Sequence, residues 1–340
     1  MPSGYEIQTS GCADMSLRPV ASATGSIHYA ASVIGKRFMN KIDISRQQQE
    51  LYDIILKRAR WRPKSNIILI PHLRHMQSWN EMLRLLFPRS AAGMDMVRIG
   101  GSNDGGYVML DPGQDGVALS LGVSLKSPWD LEMAERGYKV YQYDGTIENH
   151  PDEHPNLIFT KANVGAGADL PEAWQSISDV IAQRIPKGTD AILQIDIEGS
   201  EWDVFEAMSL EDLKAFRQII VEFHGIRPDV AAFARYLSVM RKIDTTHAPV
   251  HLHFNNYSGT YWFPDHTYGV TSLEVSYVRR DSGLDFRPSE QSFPCKLDEP
   301  CAPDMDDVPI GTWQSIRDRI DTIDSEIADR KRRESLAKSA

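Results

Sequence analysis

Through the middle of the chain, short apolar runs end on acids, glycine or asparagine, and are separated by stretches with apolar residues three or four apart. The clearest run, AILQI at 191–195, passes straight into Asp196, Glu198 and Gly199, and a helical pattern opens at Ser200. This texture predicts a buried parallel strand that reaches the ligand-binding edge of an α/β sheet. Comparable runs lie at 117–123, closing on Gly122, and at 139–143, closing on Asp144. Two more lie at 157–160, ahead of Asn163, and at 218–223, with Glu222 and His224 at the end. Helices are expected over 129–136 with Gly137 as C-cap, from Pro171 with Trp174, Ile177, Val180 and Ile181 on one face, and over 229–242. Two last runs, 250–254 and 273–278, are joined by an aromatic, polar loop without a helix, so they should pair antiparallel.

The flanks read differently. Residues 1–44 are rich in Ser, Gly and Ala and are expected to form a flexible arm. A helical region is expected over 45–92, with Ser45 as an N-cap, and with Ser78 and Glu81 as a capping box before a helix stopped by Pro88. MVRIGGSNDGGYVML, from Met96, suggests a hairpin, whose glycines would also let backbone approach a ligand. Residues 282–310, rich in Pro, Asp and Ser, read as a linker or wrapping loop. In the last segment, 311–340, Trp313, Ile316, Ile320, Ile323 and Ile327 alternate spacings of three and four. Such a seam suits both packing onto the chain's own domain and homo-oligomerisation.

The 340 residues carry a net charge of −10, with basic residues scattered, which argues against nucleic acid as a partner. No apolar run reaches the length of about 20 residues that spans a bilayer, and the N-terminus lacks signal-peptide order. Three cysteines, Cys12, Cys295 and Cys301, do not make a disulfide framework, so a cytoplasmic location is expected.

The strand ends carry the chemistry. Asp144 is placed to accept both hydroxyls of a ribose, and Gly122 allows close backbone approach. Ser124, Gly145 and Asn163 flank them on the cofactor side, Asn163 near an adenine. The turn Gly122-Val123-Ser124-Leu125-Lys126 lacks the G-x-G-x-x-G fingerprint that seats a pyrophosphate, which weighs against an NAD-linked oxidoreductase. Five α/β units closed by an antiparallel pair match a Rossmann-like methyltransferase sheet: seven strands, mostly parallel, over 93–281.

RIGGSNDGGYVML, SLGVSLKSPWDLEMAERGYKVYQYDGTIE, LQIDIEGSEWDVF and IIVEFHG, in that order, resemble the FkbM-type and related methyltransferase-like families over roughly residues 96–280. The resemblance implies an S-adenosylmethionine-dependent O-methyltransferase acting on sugars or on polyketide and peptide natural products.

Methyl transfer to a hydroxyl needs the acceptor in line, water excluded and the proton removed. Asp196, Glu222, His224 and His253 are all expected near strand ends around the acceptor, Asp196 also touching the cofactor side, with His224 or His253 as the natural base. The competing arrangement is a divalent ion, Mg²⁺ or Mn²⁺, on Asp196, Glu222 and His253. Glu198 or Glu201 could instead cap the helix after Ser200, and His251 could be structural. Asn255, Asn256, Tyr257, Tyr261 and Trp262 would suit either a sugar-binding wall or a folded loop core. A non-catalytic assembly module with the same fold is the alternative from another class.

Overall fold

The apolar runs become seven strands of one sheet: β1 (Gly116–Leu121), β2 (Tyr138–Tyr143), β3 (Leu157–Thr160), β4 (Ala191–Ile195), β5 (Phe216–Phe223), β6 (His247–Phe254) and β7 (Leu273–Arg279). The computed structural model describes residues 67–69, 73–167, 170–227, 230–263 and 268–339. The expected arm over 1–44 and the helix from Ser45 lie outside the described residues. Strand order is β6-β7-β5-β4-β1-β2-β3. β7 runs antiparallel to β5 and β6, and the other pairs are parallel. This is the Rossmann-like class I methyltransferase sheet expected from the sequence.

Both faces of the sheet are covered, which is why its strands read as unbroken apolar runs. Leu119, Leu121, Leu193 and Ile195 point into the larger core, whereas Ala118, Val140, Ile192 and Ile220 point into the smaller one. Helices α1 (Leu73–Leu86), α3 (Ile177–Arg184), α4 (Glu201–Ala207) and α6 (Val230–Asp244) contribute to the larger core. The fully buried Trp79 of α1 sits edge-on to Phe233 of α6, ring centroids 6.2 Å apart. The smaller core lies under α2 (Pro128–Glu135) and the hairpin Met96–Ile99/Tyr107–Leu110.

Three expectations change. Ser78 lies inside α1 and caps nothing, because Met76 and Trp79 extend the buried stripe toward the N-terminus. The helix expected from Pro171 begins only at Ile177. Ser176 is its cap, accepting the Asp179 N–H, while Trp174–Ser176 pairs as a strand with Asn163–Gly165. A short helix not expected from the sequence, α5 (Leu210–Lys214), follows α4 and is fixed by a Ser209/Asp212 capping box.

The last helix, α7 (Trp313–Ser339), packs its first half back onto the domain. Ile316 and Ile323 are buried, Trp313 lies 5.3 Å from Phe87, and Gln77 donates to Asp324. Residues 328–337 are exposed. No helix among the described residues is long and apolar enough to cross a membrane.

His247, at the start of β6, is fully buried between Thr246 and the Phe216 carbonyl. Burial depresses its pKa to about 4 from the ordinary 6.5. The folded state therefore holds it neutral while the unfolded chain binds a proton, so stability present above pH 6.5 is lost as pH falls toward 4. Urea unfolding across that window should show His247→Gln losing about 3 kcal/mol less stability than the wild type. Parallel pH curves for the two proteins would refute the assignment.

Candidate active site

Because β4, β1 and β2 are adjacent and parallel, their carboxyl ends meet at one edge. Asp196 and Asp144 follow strands two spacings apart, roughly 10 Å. Both line a single cavity of about 930 Å³, together with Gly122, Ser124 and Asn163. Gly145 stands beside them, donating its N–H to Asn163 Oδ1.

Gly122 has a reason the sequence did not show. Its φ is +85°, and a Cβ there would lie 1.7 Å from the Asp196 carbonyl oxygen. The missing side chain lets the end of β1 press against the Asp196 peptide, so the glycine fixes the acid's backbone directly.

The Asp144 carboxylate is fully engaged. Oδ2 accepts the N–H groups of Val123 and Ser124, and Oδ1 accepts the N–H and hydroxyl of Thr146. Burial raises its pKa, but the bonds from Thr146 and the two turn amides prevail and hold it below the usual carboxylate range. Asp144 is thus ionised, and with Thr146 it lines the cavity. The turn includes Ser124 at φ +59° and the exposed Leu125.

Asp196 anchors the other end. Its Oδ2 accepts the Tyr107 hydroxyl at 3.1 Å, and its Oδ1 lies 3.8 Å from His224 Nε2. Nε2 also stands 3.4 Å from Glu222 and 3.9 Å from Glu198. The other ring nitrogen, Nδ1, bonds Glu201 at 3.1 Å. Glu201 is fully buried at the start of α4 and also accepts the N–H groups of Ile197 and Gly199. It performs the helix-start role expected for Glu198 or Glu201, leaving Glu198 exposed, at φ +56°, reaching toward His224. Glu222 is buried and held by Asn255 and Ser272 at 2.7 and 2.6 Å.

Burial raises the pKa of Asp196 against the opposing charge of His224, and raises that of Glu222, where Asp196 and Glu274 add to the effect. Burial would lower His224, but its bond to Glu201 and the charges of Glu222 and Asp196 outweigh that and push it up. The shift of His224 thus runs opposite to the free base expected from its residue type.

His253 is not part of this group. Its ring is bound on both nitrogens, to Glu274 at 3.0 Å and Asp307 at 3.1 Å, and the residue is buried. The expected ion-binding trio of Asp196, Glu222 and His253 is accordingly not gathered at one point. Cross-strand pairing sets His253 against Glu274, and Glu274 against Glu222, spreading them along the sheet. Ligand atoms of Asp196, Glu198 and His224 do lie within 4.8 Å of one another. His251 sits 2.8 Å from Asp298, a structural pairing. Three of the loop residues serve the fold, whereas Tyr257 is exposed. Asn255 holds Glu222, Asn256 is buried against Ala302 and Met305, and the Tyr261 hydroxyl bonds the Ile226 carbonyl.

Sequence reading missed Tyr107 and the positioning role of Glu201. The glycine-rich hairpin ahead of Tyr107 was the available signal, since it lays Tyr107 over the end of β4.

Residues 173–246 match the family description Methyltransferase FkbM domain. Among solved structures, a protein provisionally assigned as a hemolysin from Streptococcus thermophilus aligns at 12% identity and TM-score 0.32, covering 64% of this chain and 70% of its own. A provisionally assigned S-adenosylmethionine dependent methyltransferase from Listeria monocytogenes aligns at 11% and 0.31, covering 61% and 99%. A provisionally assigned methyltransferase from an antibiotic biosynthesis pathway of Anabaena variabilis aligns at 14% and 0.25, covering 41% and 60%. Likeness this weak has no bearing on activity. No curated protein matches the sequence.

Gly122→Ala should lower stability by about 2–4 kcal/mol in chemical denaturation, through the overlap with the Asp196 carbonyl and the positive φ. A loss below 0.5 kcal/mol, roughly the scatter of neutral surface changes, would mean the contact is not formed.

Proposed function

We propose that this chain, a methyltransferase carrying an FkbM methyltransferase domain over residues 173–246, is an S-adenosylmethionine-dependent O-methyltransferase whose acceptor is a hydroxyl of a saccharide or sugar-bearing metabolite. One observation carries the reading: Asp144 and Asp196, acids from separate strands, line the same cavity with Gly122 between them. When bound, S-adenosylmethionine supplies a methyl group activated on a sulfonium centre. The residues present suit it. The cavity is of the size that holds a nucleoside-bearing ligand. The ionised Asp144 faces the place of a ribose, and Asn163 stands behind Gly145 near that of the base.

The acceptor side is Asp196, the one of the four expected residues that lines the cavity itself. Its pKa, raised by burial, brings the carboxylate closer to matching an alcohol's proton than an exposed acid would be. Tyr107 fixes Oδ2, and His224 behind it balances charge as Asp196 changes protonation state. Glu222 and His224 position Asp196 and do not reach the cavity lining. His253 has no role at the acceptor. The cytoplasm suits a chain whose Cys295 and Cys301 are free thiols. The exposed end of α7, rather than its packed half, would carry any self-association.

Calorimetry with S-adenosylhomocysteine should show one site per chain, weakened in Asp144→Asn. Absence of binding heat at all temperatures tried would remove the cofactor assignment. With a panel of saccharide acceptors read by mass for addition of one methyl group, Asp196→Asn should lower turnover about 10²–10⁴-fold while leaving S-adenosylhomocysteine binding intact. Undiminished turnover would exclude Asp196 as the group that receives the proton.

A further inference from the structure

Three groups of side chains among the described residues bring nitrogen, oxygen or sulfur ligands together: His251, Cys295 and Asp298; His253, Glu274 and Cys301; and Asp196, Glu198 and His224. In the first two the donors already stand at contact distance from one another. His251 meets Asp298 at 2.8 Å, and both nitrogens of His253 make hydrogen bonds of ordinary length. The third is different. His224 Nε2 faces Glu222, Asp196 and Glu198 at 3.4, 3.8 and 3.9 Å, all longer than a normal hydrogen bond from a ring nitrogen.

The separations of Asp196 and Glu198 from Nε2 leave room for one ion between the three. Groups about 2.1 Å from a common centre stand roughly 3.0–3.4 Å apart at right-angle or tetrahedral geometry, and farther where the shell is open. The ring is also presented correctly. Glu201, fully buried, takes Nδ1 and leaves Nε2 directed at the carboxylates, the outer-shell carboxylate arrangement that orients metal-bound histidines. Asp196 keeps Oδ1 on this side while Tyr107 occupies Oδ2. Glu198 is held at φ +56° with an exposed side chain at the cavity lining, free to close on an ion.

We propose that Asp196, Glu198 and His224 bind one divalent cation, Mn²⁺ or Mg²⁺ in class, with Glu201 orienting the imidazole. The mixed oxygen and nitrogen donor set, without thiolate, suits these ions. Since Asp196 and Glu198 both line the cavity, the open side of the ion faces the acceptor. An acceptor with two adjacent oxygens, such as a vicinal diol or an α-hydroxy carbonyl, would complete the shell. This last step rests on the methyltransferase reading above; the cation site itself does not.

The test is Mn²⁺ binding to the full-length protein after chelator treatment, followed by electron paramagnetic resonance of free Mn²⁺ and by calorimetry. One equivalent per chain is expected. Glu198→Gln, an exposed and conservative change that leaves folding intact, should weaken binding at least roughly tenfold, and His224→Ala more. Cys301→Ser and His253→Gln should leave the Mn²⁺ isotherm unchanged. Failure to bind Mn²⁺, or an affinity indifferent to Glu198→Gln, overturns the site. So does loss of binding in the Cys301 or His253 variants, which would move the ion elsewhere. S-adenosylhomocysteine titrated into the same variants separates the two readings. Mn²⁺ binding without it upholds the cation site and removes the methyltransferase assignment, and the reverse removes only the cation site.

Discussion

Four ionisable side chains, Glu201, His224, Glu222 and Asp196, share one partly enclosed space, and none of them could be kept there alone. A buried carboxylate or imidazolium without partners costs several kcal/mol, whereas a set that alternates charge can be tolerated. Glu201 makes the set possible. It caps the turn after β4 through the Ile197 and Gly199 amides and at the same time bonds Nδ1 of His224. The same carboxylate thus shapes the backbone of one strand end and orients the side chain of the next.

The sheet brings this set to the cavity and ties it to Asp144. The amide of Asp196 bonds the Leu121 carbonyl, and the Asp196 carbonyl presses against Gly122, so the ends of β1 and β4 are joined. The amide of Gly122 in turn bonds the Tyr143 carbonyl just before Asp144. Both acids therefore hang on one hydrogen-bonded edge. The hairpin completes the wall from above, with Tyr107 lying on Asp196 and Ile99 and Met109 anchoring it in the smaller core.

Much of what looked like chemistry in the C-terminal third is structural. The segment over 282–310 wraps the far edge of the sheet. Asp307 reaches His253, Asp298 reaches His251, and Asn256 is held by the backbone of residues 302 and 305. Polar side chains on β6 face a loop of their own chain.

The sequence alone determined the sheet, its antiparallel closure and the acids at its working edge, because burial on both faces writes strands as apolar runs and the runs must end where polar groups meet solvent. It also placed Asp144 and Asp196 at the same edge, since parallel strands of one sheet end on the same side. It did not determine which histidine joins them. His224 and His253 are alike in type and in distance from a strand end, and only cross-strand register and the path of the wrapping segment send one to Asp196 and the other to Asp307. Nor could it show Tyr107 or Glu201 at the site, or why residue 122 must be glycine. Those depend on contacts between segments far apart in sequence, whose distances exist only once the chain is folded.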